Sequence, residues 1–208
     1  MHQNMEKVGL MSDLNLKNLS AVQTDNLTVE FGERPKMAAL DGVTHEHRRA
    51  GAHLAAIHRM HLQDMNRMGA FLEHLKQGKM TPAEFSNRVK DTELSKNMKM
   101  FGTLCGRECQ VLNFHHDAEE QMIFPELERQ NIGALSRVVE RLRQEHLVVH
   151  ELLRRLDVAA DKLLQNTSTG NFDEITQVFE QLHKVVKSHF GYEETELRDA
   201  LGKYVPVI

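Results

Sequence analysis

The sequence is poor in residues that interrupt helices, cross-link loops or mark an export signal. Its 208 residues include no Trp, two Tyr, two Cys and four Pro. Two cysteines cannot build a disulfide framework, so a reducing, cytoplasmic setting is expected. No run of about 18 apolar residues occurs, and residues 1–20 lack an apolar core, so we expect neither a transmembrane helix nor a secretory signal.

A strong charge of one sign is also missing. The formal net charge is −4, which gives no reason to expect nucleic acid or an anionic membrane as a partner. Apolar residues make up 40% and charged residues 27% of the chain, as in ordinary soluble domains. Pro and Gly are scarce beside many Leu, Met, Glu, Gln, Lys and Arg, which predicts an all-α protein.

Apolar residues recur every three or four positions along four stretches, the period of a helix with one buried face. Short connections between these stretches predict an up-down-up-down four-helix bundle over residues 41–201. The predicted helices cover about residues 41–76, 93–129, 134–165 and 171–200.

Three segments lie outside these helices. Residues 1–40 are interpreted as an N-terminal arm, and residues 202–208 as a C-terminal tail. A long insertion, about residues 77–92, separates the first two helices and could form part of a lid or an interface. Pro125 lacks a backbone N–H and is expected to kink or loosen the last turns of the second helix.

Histidine is present in excess, since its 13 copies outnumber Phe, Trp and Tyr together. Each predicted helix carries His on its apolar stripe. A buried imidazole without a partner is costly, and neutral imidazole is the commonest metal ligand, so these positions suggest a metal site. The first helix offers His58, His61 or both. Three pairs with four-residue spacing place two side chains on one helix face: His115 with Glu119, His146 with His150, and His189 with Glu193.

Imidazoles and carboxylates directed inward from four helices are the layout of a dinuclear metal site. Such ligands suit Fe, Mn, Zn or Cu. The candidate ligands exceed those that one tetrahedral ion needs, so two ions are predicted. A ferritin-like site is excluded, because it needs Glu-x-x-His on two helices and only Glu180 and His183 have that spacing.

Periodicity leaves the register of the second helix open. His116 and Glu120 fall on an apolar line of their own, beside the line of His115 and Glu119. A lone His on an apolar helix face is also compatible with an ordinary core position. A helical scaffold without metal is therefore a second interpretation.

Four segments resemble hemerythrin-like (HHE cation-binding) proteins, and the resemblance covers about residues 41–201. The second-helix segment FHHDAEEQMIFPEL, residues 114–127, carries most of it. Shorter matches are IHRM at residues 57–60, QEHLVVH at 144–150 and HFGYEE at 189–194.

The resemblance implies a diiron centre with two bridging carboxylates, and it selects His115 and Glu119 over His116 and Glu120. The implied ligands are His58, His115, Glu119, His146, His150, His189 and Glu193. His61 could replace His58, and Glu194 could replace Glu193 because one branch of the family spaces the last carboxylate five residues after its His.

The resemblance also implies that the centre binds O2 or NO, for oxygen binding, storage or sensing. A binding protein is therefore expected rather than an enzyme. The alternative is a diiron enzyme of peroxidase, nitric-oxide-handling or iron–sulfur-repair type. An apolar wall is expected to keep water from the centre. Candidates for this wall are Leu112, Met122, Leu142 and Val186.

Overall fold

The computed structural model describes residues 14–77, 106–166 and 168–205, and in these ranges the protein is all-helical, with no strand. Two 3-10 turns, Leu16–Ala21 and Thr24–Asn26, precede the helices. The helices are α1 (His45–Gly51), α2 (His53–Lys76), α3 (Gly106–Ala118), α4 (Phe124–Glu128), α5 (Gly133–Gln165) and α6 (Thr169–Tyr204).

The helix predicted over residues 41–76 is divided into α1 and α2. The hydroxyl of Thr44 accepts a hydrogen bond from the His47 amide, and the His47 ring accepts one from the Thr44 amide, which fixes the start of α1. After Gly51 the chain turns at Ala52, so that α1 crosses the end of α6. A Cβ built on Gly51 would lie 1.8 Å from the Arg198 carbonyl oxygen, so this crossing requires glycine.

The expected disturbance before Pro125 is a π-helical turn, Glu119–Ile123, between α3 and α4. The Phe124 amide donates to the Glu119 carbonyl, five residues back. The wider turn inserts a residue into the helical register. As a result Phe124 and Leu127 are buried, whereas Met122 is 71% exposed. The prediction that Met122 lines the apolar wall is therefore wrong, because an uninterrupted α-helical period was assumed.

The two longest helices, α5 with 33 and α6 with 36 residues, pack against each other and make the most extensive helix–helix contact of the described residues. α2 packs against α6 and α3, and α4 packs against α5 and α6. The core consists of two apolar clusters, one containing Leu142, Leu197 and Phe124, and the other Leu112, Val186 and their neighbours. The described core also contains buried polar side chains, which we call the buried polar layer; it includes His58, His116, Glu119, His146, His189 and Glu193.

The described part of the N-terminal arm packs on α5 and α6. Leu27 and Val29 are completely buried. The Arg155 guanidinium donates to the backbone carbonyls of Leu19 and Val22, at 3.0 and 2.7 Å. The arm therefore contributes to the core rather than extending away from it.

Some predictions fall on residues outside the described ranges. These are the first 13 residues of the arm, nearly all of the insertion at 77–92, the start of the predicted second helix, and the end of the tail. None of the helices in the described ranges is long and apolar enough to span a bilayer.

Candidate metal centre

Seven side chains capable of binding metal converge in the buried polar layer as two groups, and the ligand atoms within each group lie within 4.8 Å of one another. We call the first the two-histidine group; it consists of His58, His115, Glu119 and Glu193. We call the second the three-histidine group; it consists of His116, His146 and His189.

Four helices and the π turn supply these side chains. His58 comes from α2, His115 and His116 from α3, and Glu119 from the first position of the π turn. His146 comes from α5, and α6 contributes His189 and Glu193 one turn apart. The ring of His58 stacks on Phe190 with centroids 3.7 Å apart, which fixes its orientation.

Each of the two carboxylates reaches both groups. Glu119 places Oε1 3.1 Å from Nε2 of His115 and Oε2 3.4 Å from Nε2 of His146. Glu193 Oε2 lies 3.5 Å from Nε2 of His58 and 3.8 Å from Nε2 of His189. Carboxylates in this position can bridge two cations held by the two groups.

Most polar atoms at the centre lack hydrogen bonds, although Nε2 of His58 and Nε2 of His115 lie 3.0 Å apart and pair with each other. Nε2 of His116, His146 and His189 and both carboxylate oxygens of Glu119 and Glu193 are buried and make no hydrogen bond within the described residues. Leaving a buried polar atom unsatisfied costs about 1–3 kcal/mol, and more when it is charged. A cation between these lone pairs would offset that cost for all of them at once.

Burial sets the protonation of these groups. It raises the pKa of Glu119, and the neighbouring carboxylate of Glu193 raises it further. Burial, together with nearby imidazoles, lowers the pKa of His58 to about 2 and that of His115 to about 3. Both imidazoles are thus neutral at pH 7, the form that binds metal.

A second layer of carboxylates orients three of the imidazoles through Nδ1. Glu194 lies 2.9 Å from Nδ1 of His58, Glu120 lies 2.8 Å from Nδ1 of His146, and Glu145 lies 3.1 Å from Nδ1 of His189. A carboxylate accepts the Nδ1–H, which leaves the Nε2 lone pair directed at the centre. Such pairing is typical of metal-ligating histidines.

Arginines hold two of these outer carboxylates. Arg143 donates to Glu120 at 3.0 Å. Glu145 is completely buried and accepts from Arg141 at 2.8 Å and from Arg34 at 2.8 and 3.0 Å. Arg34 belongs to the N-terminal arm, so the arm is connected through Glu145 to His189.

The structure brings together six of the seven side chains predicted as ligands: His58, His115, Glu119, His146, His189 and Glu193. His150 lies outside both groups, and its Nε2 is 3.1 Å from Nδ1 of His116. His116, which the family resemblance had set aside in favour of His115, belongs to the three-histidine group. The position of His116 on an apolar line was the signal in the sequence. It was not used, because one regular helical face holds only one of the two neighbours His115 and His116.

Glu194 and His61, the possible replacements for Glu193 and His58, lie beside the centre. Glu194 pairs with Nδ1 of His58, the nitrogen that points away from the centre, and belongs to neither group. His61 is buried, with its ring centroid 5.4 Å from that of His115, and it too belongs to neither group.

A chain that is helical throughout its described ranges and has a buried layer of imidazoles and carboxylates falls into the class of helical cation-binding proteins. The chain belongs to the hemerythrin family, since the hemerythrin HHE cation-binding domain matches residues 52–201. Comparisons with curated proteins and with solved structures gave no match.

Proposed function

We propose that this protein binds two iron ions, one in each histidine group, and that the diiron centre serves to bind, store or sense O2 or NO. The observation that carries the proposal is the position of Glu119 and Glu193, each within 4 Å of imidazole nitrogens of both groups. When bound, iron would supply the redox chemistry and the affinity for a diatomic ligand.

The donor set supports iron. Five imidazoles with two carboxylates are donors of intermediate softness, which suit iron and its neighbours better than Mg²⁺ or Ca²⁺. His116, His146 and His189 would hold one ion, His58 and His115 would hold the other, and both carboxylates would be shared. The ion at the two-histidine group would therefore have one protein ligand fewer, which would leave a position for an external ligand.

The remaining residues have defined tasks in this proposal. Glu194, Glu120 and Glu145 hold the imidazoles in the orientation that directs Nε2 inward. Leu112, Leu142 and Val186 are at most 4% exposed and keep water from the centre. A dry surrounding strengthens the electrostatic interactions between carboxylates and cations.

We also infer that α2, α3, α5 and α6 form an up-down-up-down bundle around this centre. One small cavity is lined by residues that follow the ligands in α2 and α5 but precede them in α3 and α6, for example Met65, Leu153, Leu112 and Leu182. Neighbouring helices must then run in opposite directions.

The test is to load the metal-free protein with Fe(II) without oxygen and then add O2 or NO. We expect about two irons per chain and a new visible absorption that is reversed when the gas is removed. Steady consumption of peroxide or NO under the same conditions would assign an enzymatic role instead. A loaded protein whose spectrum responds to neither gas would contradict the proposal.

A further inference from the structure

A small cavity lies between the helices, on one side of the level of the two-histidine group. Its volume is ≈ 20 Å³, enough for one molecule about the size of water. Apart from His61, its lining is apolar, with Met65, Leu112, Leu153 and Leu182 among the contributors. Its size and lining fit a small uncharged molecule, such as a diatomic gas, better than an ion.

Helical spacing places the residues that line this cavity about one to three turns from the predicted ligands. Leu112 precedes His115 by three residues, and Leu182 precedes His189 by seven. His61 follows His58 by three residues, a rise of about 4.5 Å along α2. His61 therefore lies between the level of the ligands and the level of the cavity.

His61 is the polar feature of the cavity that lacks a partner. The residue is 8% exposed, and its Nε2 is buried without a hydrogen bond among the described residues. The side chain also stands outside both ligand groups, although its ring lies 5.4 Å from that of His115. A buried nitrogen without a partner is unfavourable unless a ligand supplies one.

We propose that the cavity admits a diatomic ligand to the two-histidine group and that Nε2–H of His61 donates a hydrogen bond to the ligand seated there. This inference rests on the proposed function. His61 is then a ligand-positioning residue one turn away from the metal ligand His58. Its neutral imidazole stabilises a polar, bent diatomic more than an apolar side chain would.

The first experiment compares NO binding by the Fe(II)-loaded wild type with His61→Leu, His61→Gln and Met68→Leu. Met68 lines the same cavity without a hydrogen-bond donor, so Met68→Leu is the matched control. We expect His61→Leu to keep the iron content of the wild type, to release NO about 5–10-fold faster and to shift the N–O stretch. His61→Gln retains a donor and should restore part of both effects, while Met68→Leu removes no donor and should keep the N–O stretch of the wild type.

The second experiment addresses the cavity itself. Leu153→Phe should fill it and slow NO association and dissociation by similar factors, so that the Kd for NO changes little. Equal association in Leu153→Phe and wild type would overturn the cavity as the route of entry.

The outcomes separate the inference from the proposed function. A wild type that binds iron and NO, together with a His61→Leu variant of unchanged NO release and N–O stretch, overturns the role of His61 alone. Loss of one iron in His61→Leu overturns it as well, because His61 would then be a metal ligand. Failure of the wild type to bind NO overturns the proposed function for this gas.

Discussion

Nδ1 of His116 lies 3.1 Å from Nε2 of His150. If His116 donates this hydrogen bond, its own Nε2 lone pair faces His146 and His189 in the three-histidine group. We therefore expect His150 to support His116 as a metal ligand and not to bind metal itself. His115 and His116, which are adjacent in the sequence, thereby serve the two different groups.

Single substitutions should distinguish these two roles. We predict that His116→Ala lowers the iron content from about two toward one per chain, because the three-histidine group loses a donor. His150→Ala should keep both irons but bind one of them about 10–100-fold more weakly, as for the loss of an outer partner. Metal analysis after dialysis against a chelator of known affinity measures both. The opposite ranking of the two variants would return His150 to the ligand set.

Replacing Glu119, the proposed bridging carboxylate, should affect the stability of the metal-free protein and the iron content of the loaded protein in opposite directions. Glu119→Gln removes a carboxyl whose charged form is disfavoured by burial and by Glu193, so the metal-free protein should gain about 1 kcal/mol at pH 7, or about 2–4 °C in Tm. The same variant should hold fewer than two irons, because an amide bridges two cations poorly. Glu126→Gln, which loses only a surface pair with Arg129, is the control. A Glu119→Gln protein with full iron content would contradict the bridging role.

The arm should influence the metal through Arg34. We predict that Arg34→Gln weakens iron binding by up to about 10-fold, because Glu145 then holds His189 less firmly. Arg155→Gln is a matched control, since Arg155 also anchors the arm but does not contact Glu145. Competition with a chelator measures the affinity of each. Equal losses in the two variants would mean that the arm acts only through general stability.

The metal-free protein should become less stable as the pH falls from 7 to 5. In the unfolded chain His titrates near pH 6.5, whereas burial lowers the pKa of His115 to about 3 and that of His146 to about 4 in the folded protein. The unfolded state therefore binds more protons in this window, and the free energy of unfolding falls on acidification. The raised pKa of Glu119 and of Glu193 opposes this effect but involves fewer groups.

Thermal unfolding in the presence of a chelator at pH 5, 6 and 7 checks this expectation. A Tm that rises toward pH 5 would show that the buried carboxylates dominate. The iron-loaded protein should lose metal over the same range, because protons compete for the imidazoles.

The crossing of α1 and α6 offers a test of the fold that leaves the metal centre aside. A Cβ on Gly202 would lie 1.7 Å from the His47 carbonyl oxygen. We predict that Gly202→Ala destabilises the protein by about 1–3 kcal/mol. Gly191→Ala, with no atom within 4 Å of the added carbon, should be neutral or stabilise by about 0.5–1 kcal/mol. Denaturant unfolding measures both, and equal effects would contradict the close helix contact.

Sequence spacing was sufficient where a regular helix connects two ligands. His115 with Glu119 and His189 with Glu193 are one turn apart, and both pairs meet at the centre. Spacing favoured Glu193, one turn after His189, and Glu194 stayed open only because the resemblance includes relatives with a five-residue spacing. The structure places Glu194 on the outer nitrogen of His58.

Other features depend on geometry that periodicity does not contain. The π turn at Glu119–Ile123 changes the register, so Met122 turns to the surface. Arg34 contacts Glu145, 111 positions along the chain, from an arm that has no regular repeat. His116 joins the site because the interior is wide enough to receive two successive residues of α3.

The central claim is that Glu119 and Glu193 connect two ions in one centre. Mössbauer and EPR spectroscopy of protein loaded with ⁵⁷Fe and oxidised test it most directly, alongside metal analysis. The account predicts about two irons per chain, antiferromagnetically coupled and EPR-silent, as expected for ions about 3.5–4 Å apart. One iron per chain with the EPR signal of isolated high-spin Fe(III) would contradict it.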